Sequence, residues 1–217
     1  MGTPRNPVAP RMITVSITEK RFGDDLVLGP IAFEIAQGET VALVGPSGIG
    51  KSTLLRLVSG IDTDFIGQID RPEAMAMVFQ EPTLLPWRSA LDNLTLLHPG
   101  LPRDRALAAL EEVGLTGKET LFPGQLSLGQ QRRLALARAF AGQPDLLIMD
   151  EPFVSLDATA ADRMLTLTEQ LIARHQPATL FVTHDMAEAT RLAHRTLTLE
   201  GGPDGAQLAV TTKDRTT

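Results

Sequence analysis

The sequence contains no cysteine and no tyrosine, and only one tryptophan among its 217 residues. Without cysteine, the chain can form neither a disulfide framework nor a thiolate zinc site, and it has no cysteine nucleophile. No apolar run approaches the roughly 20 residues that span a bilayer, so we expect any membrane association to come through a protein partner. Residues 1–10 contain three prolines and no apolar core segment, which argues against a secretory signal there.

Basic residues are also scarce, since 20 Lys and Arg stand against 26 Asp and Glu and give a formal net charge of −6. This acidic balance argues against non-specific nucleic-acid binding, which requires a basic surface, so we expect no nucleic-acid partner. Hydrophobic residues make up 43% of the chain, which is enough for a sizeable core. The length fits one large α/β domain or two small ones.

Short apolar segments alternate with amphipathic ones along the chain. Segments 40–44, 146–149 and 179–182 are almost wholly apolar, as buried parallel strands are. Apolar and polar residues alternate over 12–18, which predicts a half-buried strand. Further strands are predicted at 31–35, 74–79, 196–199 and 207–210, and helices at 51–58, 91–141 (with breaks at 99–100 and 123–124), 158–174 and 186–194. The alternation predicts an α/β fold with a largely parallel sheet, a helical insertion and a frayed tail over 211–217.

A glycine-rich segment follows the strand at 40–44 and opens the helix at 51–58. Its residues match the phosphate-loop pattern G-x-x-x-x-G-K-[ST]: Gly45, Pro46, Ser47, Gly48, Ile49, Gly50, Lys51 and Ser52. The glycines allow successive backbone N–H groups to point at phosphate oxygens, and the helix N-terminus adds the positive end of its dipole. We expect Lys51 to reach the β- and γ-phosphates and the Ser52 hydroxyl to bind Mg²⁺. The other interpretation is an ordinary glycine-rich turn.

An acidic pair ends the apolar strand at 146–149. Asp150 is placed to hold Mg²⁺, directly or through water, because this hard cation prefers oxygen ligands. Glu151 would then orient or deprotonate an attacking water. Such a pair alone is a weak signal, but about a hundred residues after a phosphate loop it becomes a strong one.

Several further segments together resemble one family. Leu126-Ser127-Leu128-Gly129-Gln130, followed by Gln131-Arg132-Arg133, resembles the signature segment of ATP-binding cassette (ABC) ATPases. Other family marks occur in the family's order over about 12–199: Phe22 for the aromatic that stacks on adenine, Gln80 for the glutamine loop, Ser155-Leu156-Asp157 after the catalytic glutamate, and His184 for the switch histidine. The chain is therefore identified as resembling an ABC ATPase.

The resemblance implies a P-loop NTPase core with a mostly parallel sheet, an N-terminal antiparallel β subdomain and an inserted α-helical subdomain. It implies a single ABC ATPase domain over 12–217, with the helical subdomain at about 88–141 and a flexible segment at 1–11. ATP and Mg²⁺ are the expected ligands. The implied catalytic residues are Glu151, His184, Lys51 and Gln80, and the implied metal ligands are Ser52, Gln80 and Asp150. The implied nucleotide contacts are residues 45–53, including Thr53, together with Phe22, Ser127, Gly129, Gln130 and Asp157.

The signature segment implies a second copy of the chain. In the family, the serine and glycine at the positions of Ser127 and Gly129 contact the γ-phosphate held by a partner, so two ATP molecules lie between two head-to-tail copies. Leu128 departs from the family pattern, because glycine is usual at that position. This departure affects the expected affinity or rate more than the expected activity.

The run Leu84-Leu85-Pro86-Trp87 lies where family members coupled to a permease receive its coupling helix. It resembles importer ATPases of the nitrate, sulfonate and taurine type. The resemblance implies permease subunits as partners, a periplasmic or extracellular substrate-binding protein as an indirect one, and a place on the cytoplasmic face of the inner membrane. Trp87 buried against the helical segment is the other interpretation. An exporter or lipid-transport ATPase and a non-transport, ATP-switched scaffold remain alternatives.

Overall fold

The computed structural model describes residues 11–211. Over this range, the chain forms ten strands, six α-helices and one short 3-10 helix. The strands are β1 (Arg11–Phe22), β2 (Asp25–Leu28), β3 (Ile31–Ala36), β4 (Thr40–Val44), β5 (Ile66–Asp70), β6 (Met75–Val78), β7 (Leu146–Asp150), β8 (Ala178–Val182), β9 (Arg195–Gly202) and β10 (Gly205–Thr211). The helices are α1 (Lys51–Ser59), α2 (Ala90–Thr95), α3 (Arg103–Glu112), α4 (Leu128–Ala141), α5 (Ala158–His175) and α6 (Met186–Leu192). The predicted flexible segment 1–11 and frayed tail 211–217 lie outside the described residues, except for Arg11 and Thr211.

The strands form one mixed sheet in the order β3-β1-β2-β10-β9-β4-β8-β7-β6, with β5 also paired to β1. Strands β9, β4, β8, β7 and β6 are parallel to one another. Strand β9 is antiparallel to β10, and β1 is antiparallel to β2, β3 and β5. The predicted parallel core is therefore present, with antiparallel strands at the N-terminal side. The two final strands form the predicted hairpin.

Two hydrophobic cores lie on opposite faces of the parallel strands. Side chains alternate between faces along a strand, so Val41 and Leu43 of β4 join the core with α1 and the N-terminal strands, while Ala42 and Val44 join the core with α4 and α5. Because both faces of β4 are covered, all of its residues are buried, and its sequence is an almost continuous apolar run.

The prediction missed β2 and β5 and placed several element boundaries differently. Strand β5 is mostly exposed and has a glycine as its second residue, so its own sequence is a weak strand signal. It forms by pairing with β1, some 50 residues earlier in the chain. Pairing with β2 and β5 extends β1 beyond residue 18 to Phe22. Helix α6 ends at Leu192 rather than at residue 194. Helices α2–α4 occupy the predicted helical range. Residues 113–122 are not helical, contrary to the prediction, and the predicted break at 123–124 coincides with a short 3-10 helix over Pro123–Gln125. The division into a core and a helical subdomain over 88–141 stays a prediction.

The loop before α2 is held by a buried asparagine. The side-chain oxygen of Asn93 accepts a hydrogen bond from the Leu85 N–H at 2.8 Å, and its amide nitrogen donates to the carbonyls of Leu85, Arg88 and Ser89 at 3.2, 3.2 and 2.9 Å. Asn93 is fully buried. This single side chain therefore fixes the backbone around Trp87.

We expect Asn93→Ala to lower the free energy of unfolding by about 2–3 kcal/mol, because buried backbone groups would lose their partners. Urea denaturation measures the change. Thr95→Ala on the same helix is the control, with an expected change within about 0.5 kcal/mol. Equal stabilities of Asn93→Ala and the unmodified protein would contradict this account of the loop.

None of the helices within the described part of the chain combines the length and the apolarity needed to cross a membrane.

Candidate active site

Three segments that carry predicted site residues begin at one edge of the sheet. Strands β4, β8 and β7 are adjacent and parallel, so their carboxyl ends lie together. The phosphate loop follows β4, Asp150 ends β7, and His184 follows β8. Gln80 comes two residues after β6, which is parallel to β7, so it starts from the same edge. The topology thus gathers residues that lie far apart in the sequence.

The phosphate loop depends on two glycines where no side chain fits. A Cβ on Gly45 would lie 2.6 Å from the Leu199 carbonyl oxygen, and one on Gly50 would lie 2.8 Å from a Leu28 methyl group. Gly50 also has φ +109°, in the left-handed region that other residues avoid. No side chain caps the start of α1 at Gly50. The first N–H groups of this helix are therefore directed at the loop, as an anion site requires.

Lys51 is buried, with only 6% of the residue exposed. Its Nζ donates hydrogen bonds to the carbonyl oxygens of Gly45 and Pro46, both at 2.8 Å. The ammonium is thereby held against the backbone at the start of the loop. This arrangement concentrates positive charge and donors in one place.

Ser52 and Asp150 bring two oxygen ligands together. The Ser52 hydroxyl lies 3.4 Å from Oδ1 of Asp150. Burial raises the pKa of Asp150, and the neighbouring charge of Glu151 adds to this, while the Ser52 hydroxyl, Arg56 and Lys51 act in the opposite direction. A cation at this position would offset the burial of the carboxylate. The pair therefore fits a hard divalent cation such as Mg²⁺.

Glu151 and His184 face each other across the same edge. Oε2 of Glu151 lies 3.6 Å from Nδ1 of His184, with 26% and 60% of the two side chains exposed. Glu151 has a φ of +45°, and its N–H donates to the Val182 carbonyl at 3.1 Å. Such strained backbone is concentrated at functional sites. Both side chains line a cavity of about 340 Å³.

Two polar residues that line this cavity, Thr183 and Glu188, were not among the predicted site residues. Glu188, on α6, contacts the hydroxyl of Thr183, which also accepts a hydrogen bond from the Asp185 N–H at 3.0 Å. Burial and the charges of Asp185 and Glu151 raise the pKa of Glu188, against the Thr183 hydrogen bond and His184. These contacts fix the backbone on both sides of His184. Their only sequence signal is an acid four residues after the predicted histidine.

The signature segment forms the N-terminus of α4. The Ser127 hydroxyl accepts a hydrogen bond from the Gln130 N–H at 3.3 Å, and the Gln130 side-chain oxygen accepts one from the Ser127 N–H at 2.9 Å. This reciprocal capping defines where the helix begins. Ser127 and Leu128 are exposed. No hydrogen bond between residues within 11–211 links this segment to the phosphate loop of the same chain.

The remaining predicted residues lie on the surface. Phe22 ends β1 with 52% of the residue exposed, and Gln80 is exposed at the sheet edge. Asp157 is the N-cap of α5, where Oδ1 accepts a hydrogen bond from the Ala160 N–H at 2.9 Å. Asp157 therefore has a capping function of its own, and its contact with a nucleotide stays a prediction.

A model of the family described as "ABC transporter" matches residues 28–154, which is more than half of the chain. The chain belongs to this family. Aliphatic sulfonates import ATP-binding protein SsuB 2 of Mesorhizobium japonicum is 46% identical over 203 residues, which cover 92% of this chain and 82% of that protein. SsuB 3 of Rhodococcus jostii is 46% identical over 200 residues, covering 91% of this chain and 75% of that protein.

A solved structure resembles this ABC ATPase over nearly its whole length. It is the dimeric, post-hydrolysis state of the ATP-binding cassette MJ0796 bound to ADP and Pi, with a TM-score of 0.78 and 27% identity, covering 95% of this chain and 100% of that one. The predicted fold class, a P-loop NTPase core with antiparallel N-terminal strands and inserted helices, is confirmed. The predicted family and ATPase activity are confirmed as well.

Proposed function

We propose that two copies of this ABC ATPase close head to tail over two ATP molecules and that this cycle powers import of a solute through a membrane permease. The main support for this proposal is that the loop over 80–88 starts at the active-site edge of the sheet and has an exposed tryptophan. Trp87 is 66% exposed, against the alternative that it is buried. Aromatic side chains of this kind anchor protein interfaces.

The phosphate loop binds the triphosphate. Backbone N–H groups of residues 47–50 and of the start of α1, including Ser52 and Thr53, donate to phosphate oxygens. Lys51 exchanges its two carbonyl partners for the β- and γ-phosphates, at which it places a full positive charge. Phe22 stacks on the adenine.

Ser52 and Asp150 would hold Mg²⁺, with Gln80 completing the ligands from the protein. The two oxygen atoms 3.4 Å apart and the burial of Asp150 support this assignment. When bound, this cation neutralises negative charge on the β- and γ-phosphates. The chain contributes the position of these oxygen ligands.

Glu151 is the general base of hydrolysis. Its carboxylate accepts a proton from the attacking water, and His184, held 3.6 Å away, contacts the γ-phosphate and stabilises its developing charge. The contacts of Thr183 and Glu188 hold the histidine segment in place. The reaction consumes ATP and water and releases ADP and phosphate.

A second copy completes the site. Within the described residues, Ser127, Gly129 and Gln130 form no hydrogen bond with their own phosphate loop, and the helix N-terminus that begins at the exposed Ser127 is suited to the γ-phosphate in a partner. The dimeric state of the similar MJ0796 structure supports this arrangement. Loss of the γ-phosphate removes the link between the copies, so the pair opens.

The loop at 80–88 connects the site to the permease. Arg138 of α4 donates to the Thr83 and Pro82 carbonyls at 2.9 and 3.2 Å, and to the Thr83 hydroxyl at 3.2 Å. Movement of the signature helix on closure would therefore move the loop that carries Trp87. The names of the SsuB relatives, which are aliphatic sulfonates import ATP-binding proteins, support an aliphatic sulfonate as the imported solute. A substrate-binding protein as an indirect partner and a place on the cytoplasmic face of the inner membrane are part of this proposal.

Trp87→Ala tests the proposal. In membranes that contain the partner permease, we expect the variant to sediment with the membranes at least roughly tenfold less than the unmodified protein, because interface tryptophans dominate binding. Ethanesulfonate uptake falls with it, while ATP hydrolysis by the free protein is unchanged. Ile66→Ala, at another exposed apolar residue, is the control. Full membrane binding and uptake by Trp87→Ala would contradict the proposal, as would an unmodified protein that never sediments.

A further inference from the structure

A buried ammonium lies under the ring of Phe22. Nζ of Lys20 is 4.6 Å from the ring centre. Lys20 is 1% exposed, whereas Phe22 is 52% exposed. A cation at this distance over an aromatic face is attracted by the negative charge of that face, most strongly where water is excluded.

Two carboxylates fix the position of this ammonium. Nζ of Lys20 lies 2.9 Å from Oδ2 of Asp62 and 3.3 Å from Oδ2 of Asp64, and donates to the Asp64 carbonyl at 2.6 Å. Asp62 and Asp64 belong to the segment after α1, the helix that opens with Lys51. Lys20 thereby joins the end of β1 to the element that carries the phosphate loop.

Lys20 stays protonated despite its burial. Burial lowers its pKa, but the hydrogen bonds and charges of Asp62 and Asp64 outweigh this effect and raise the pKa above the ordinary value. A charged ammonium therefore faces the ring at neutral pH.

We propose that Lys20 is a positioning residue for the nucleotide base: its ammonium holds one face of the Phe22 ring so that the exposed face is ready to stack on adenine. This inference rests on the proposed contact between Phe22 and adenine. A ring that is already held loses less side-chain freedom when the nucleotide binds. The cation also draws electron density toward the buried face, which reduces repulsion between the other face and the adenine π-system.

Calorimetry with two probes, ATP and inorganic tripolyphosphate, separates positioning of the base from general folding effects. Phe22→Ala should raise the Kd for ATP roughly tenfold, as stacking contacts with bases do. Lys20→Met should raise it roughly three- to tenfold, and neither variant should change the Kd for tripolyphosphate. In the Phe22→Ala background, Lys20→Met should have no further effect. Lys20→Arg should restore binding to within about twofold, because it keeps a cation over the ring.

Lys20→Met leaves two acids without their partner, so the double variant Lys20→Met with Asp62→Asn provides a neutral replacement. Thermal denaturation verifies that each variant is folded. The proposal would be overturned if Lys20→Met weakened tripolyphosphate binding as much as ATP binding. It would also be overturned if Lys20→Met weakened ATP binding equally in the unmodified protein and in Phe22→Ala. Unchanged ATP binding by folded Lys20→Met would also overturn the proposal, provided that Phe22→Ala weakens ATP binding. Unchanged ATP binding by Phe22→Ala would instead overturn the adenine contact itself.

Discussion

Replacing Glu151 by glutamine should lower the rate of ATP hydrolysis by roughly 10²- to 10⁴-fold, the range for loss of a general base. The amide has the shape of the carboxylate but does not accept the proton of the attacking water. ATP binding should persist, because the phosphate loop and the pair of Ser52 and Asp150 are unchanged. The closed pair of copies should therefore accumulate, since the step that opens it is blocked.

Phosphate release measures the rate of hydrolysis, and light scattering after size exclusion with ATP and Mg²⁺ measures the accumulation of the closed pair. Glu73→Gln, an exposed acid in the β5–β6 loop, is the matched control and should behave as the unmodified protein. Turnover by Glu151→Gln near that of the unmodified protein would remove Glu151 as the base. A variant that is inactive yet monomeric with ATP would contradict the proposed closure.

The phosphate loop and the acidic pair of Asp150 and Glu151 could be predicted because each is encoded by a short, continuous segment. A wholly apolar strand such as β4 must be buried on both faces, and a glycine-rich loop with a lysine before a helix has few other uses. Asp150 and Glu151 follow a second such strand. Parallel neighbours then place these ends together without any further information.

Contacts between distant segments could not be predicted in the same way. The link from Arg138 to Thr83 and the contact between Thr183 and Glu188 depend on packing that no short pattern encodes. Strand β5 was missed because it is mostly exposed and its apolar residues do not alternate clearly. The ion pair of Lys20 with Asp62 spans 42 positions and depends on the pairing of β1.

One copy of the chain contains all the proposed groups but does not bring them together. Lys51, Asp150 and Glu151 meet at the sheet edge, whereas Ser127 and Leu128 are exposed at the start of α4. The Leu128 side chain, 50% exposed, would then lie at the interface between copies, where an apolar surface favours association. The departure from glycine is thus compatible with closure.

Replacing Lys51 by alanine should weaken ATP binding by at least roughly a hundredfold, because charge-assisted hydrogen bonds to phosphate contribute about 1.5–3 kcal/mol each. The variant also loses the bonds that Nζ donates to the Gly45 and Pro46 carbonyls, so the loop is less well ordered for the ligand. Calorimetric titration with ATP and Mg²⁺ measures the change. Lys118→Ala is the matched control, because it removes the same charge from a loop of the helical region; it should bind ATP normally. If folded Lys51→Ala bound ATP as tightly as this control, the phosphate loop could not be the site at which the triphosphate is held, and the proposed order of binding, closure and hydrolysis would lose its first step.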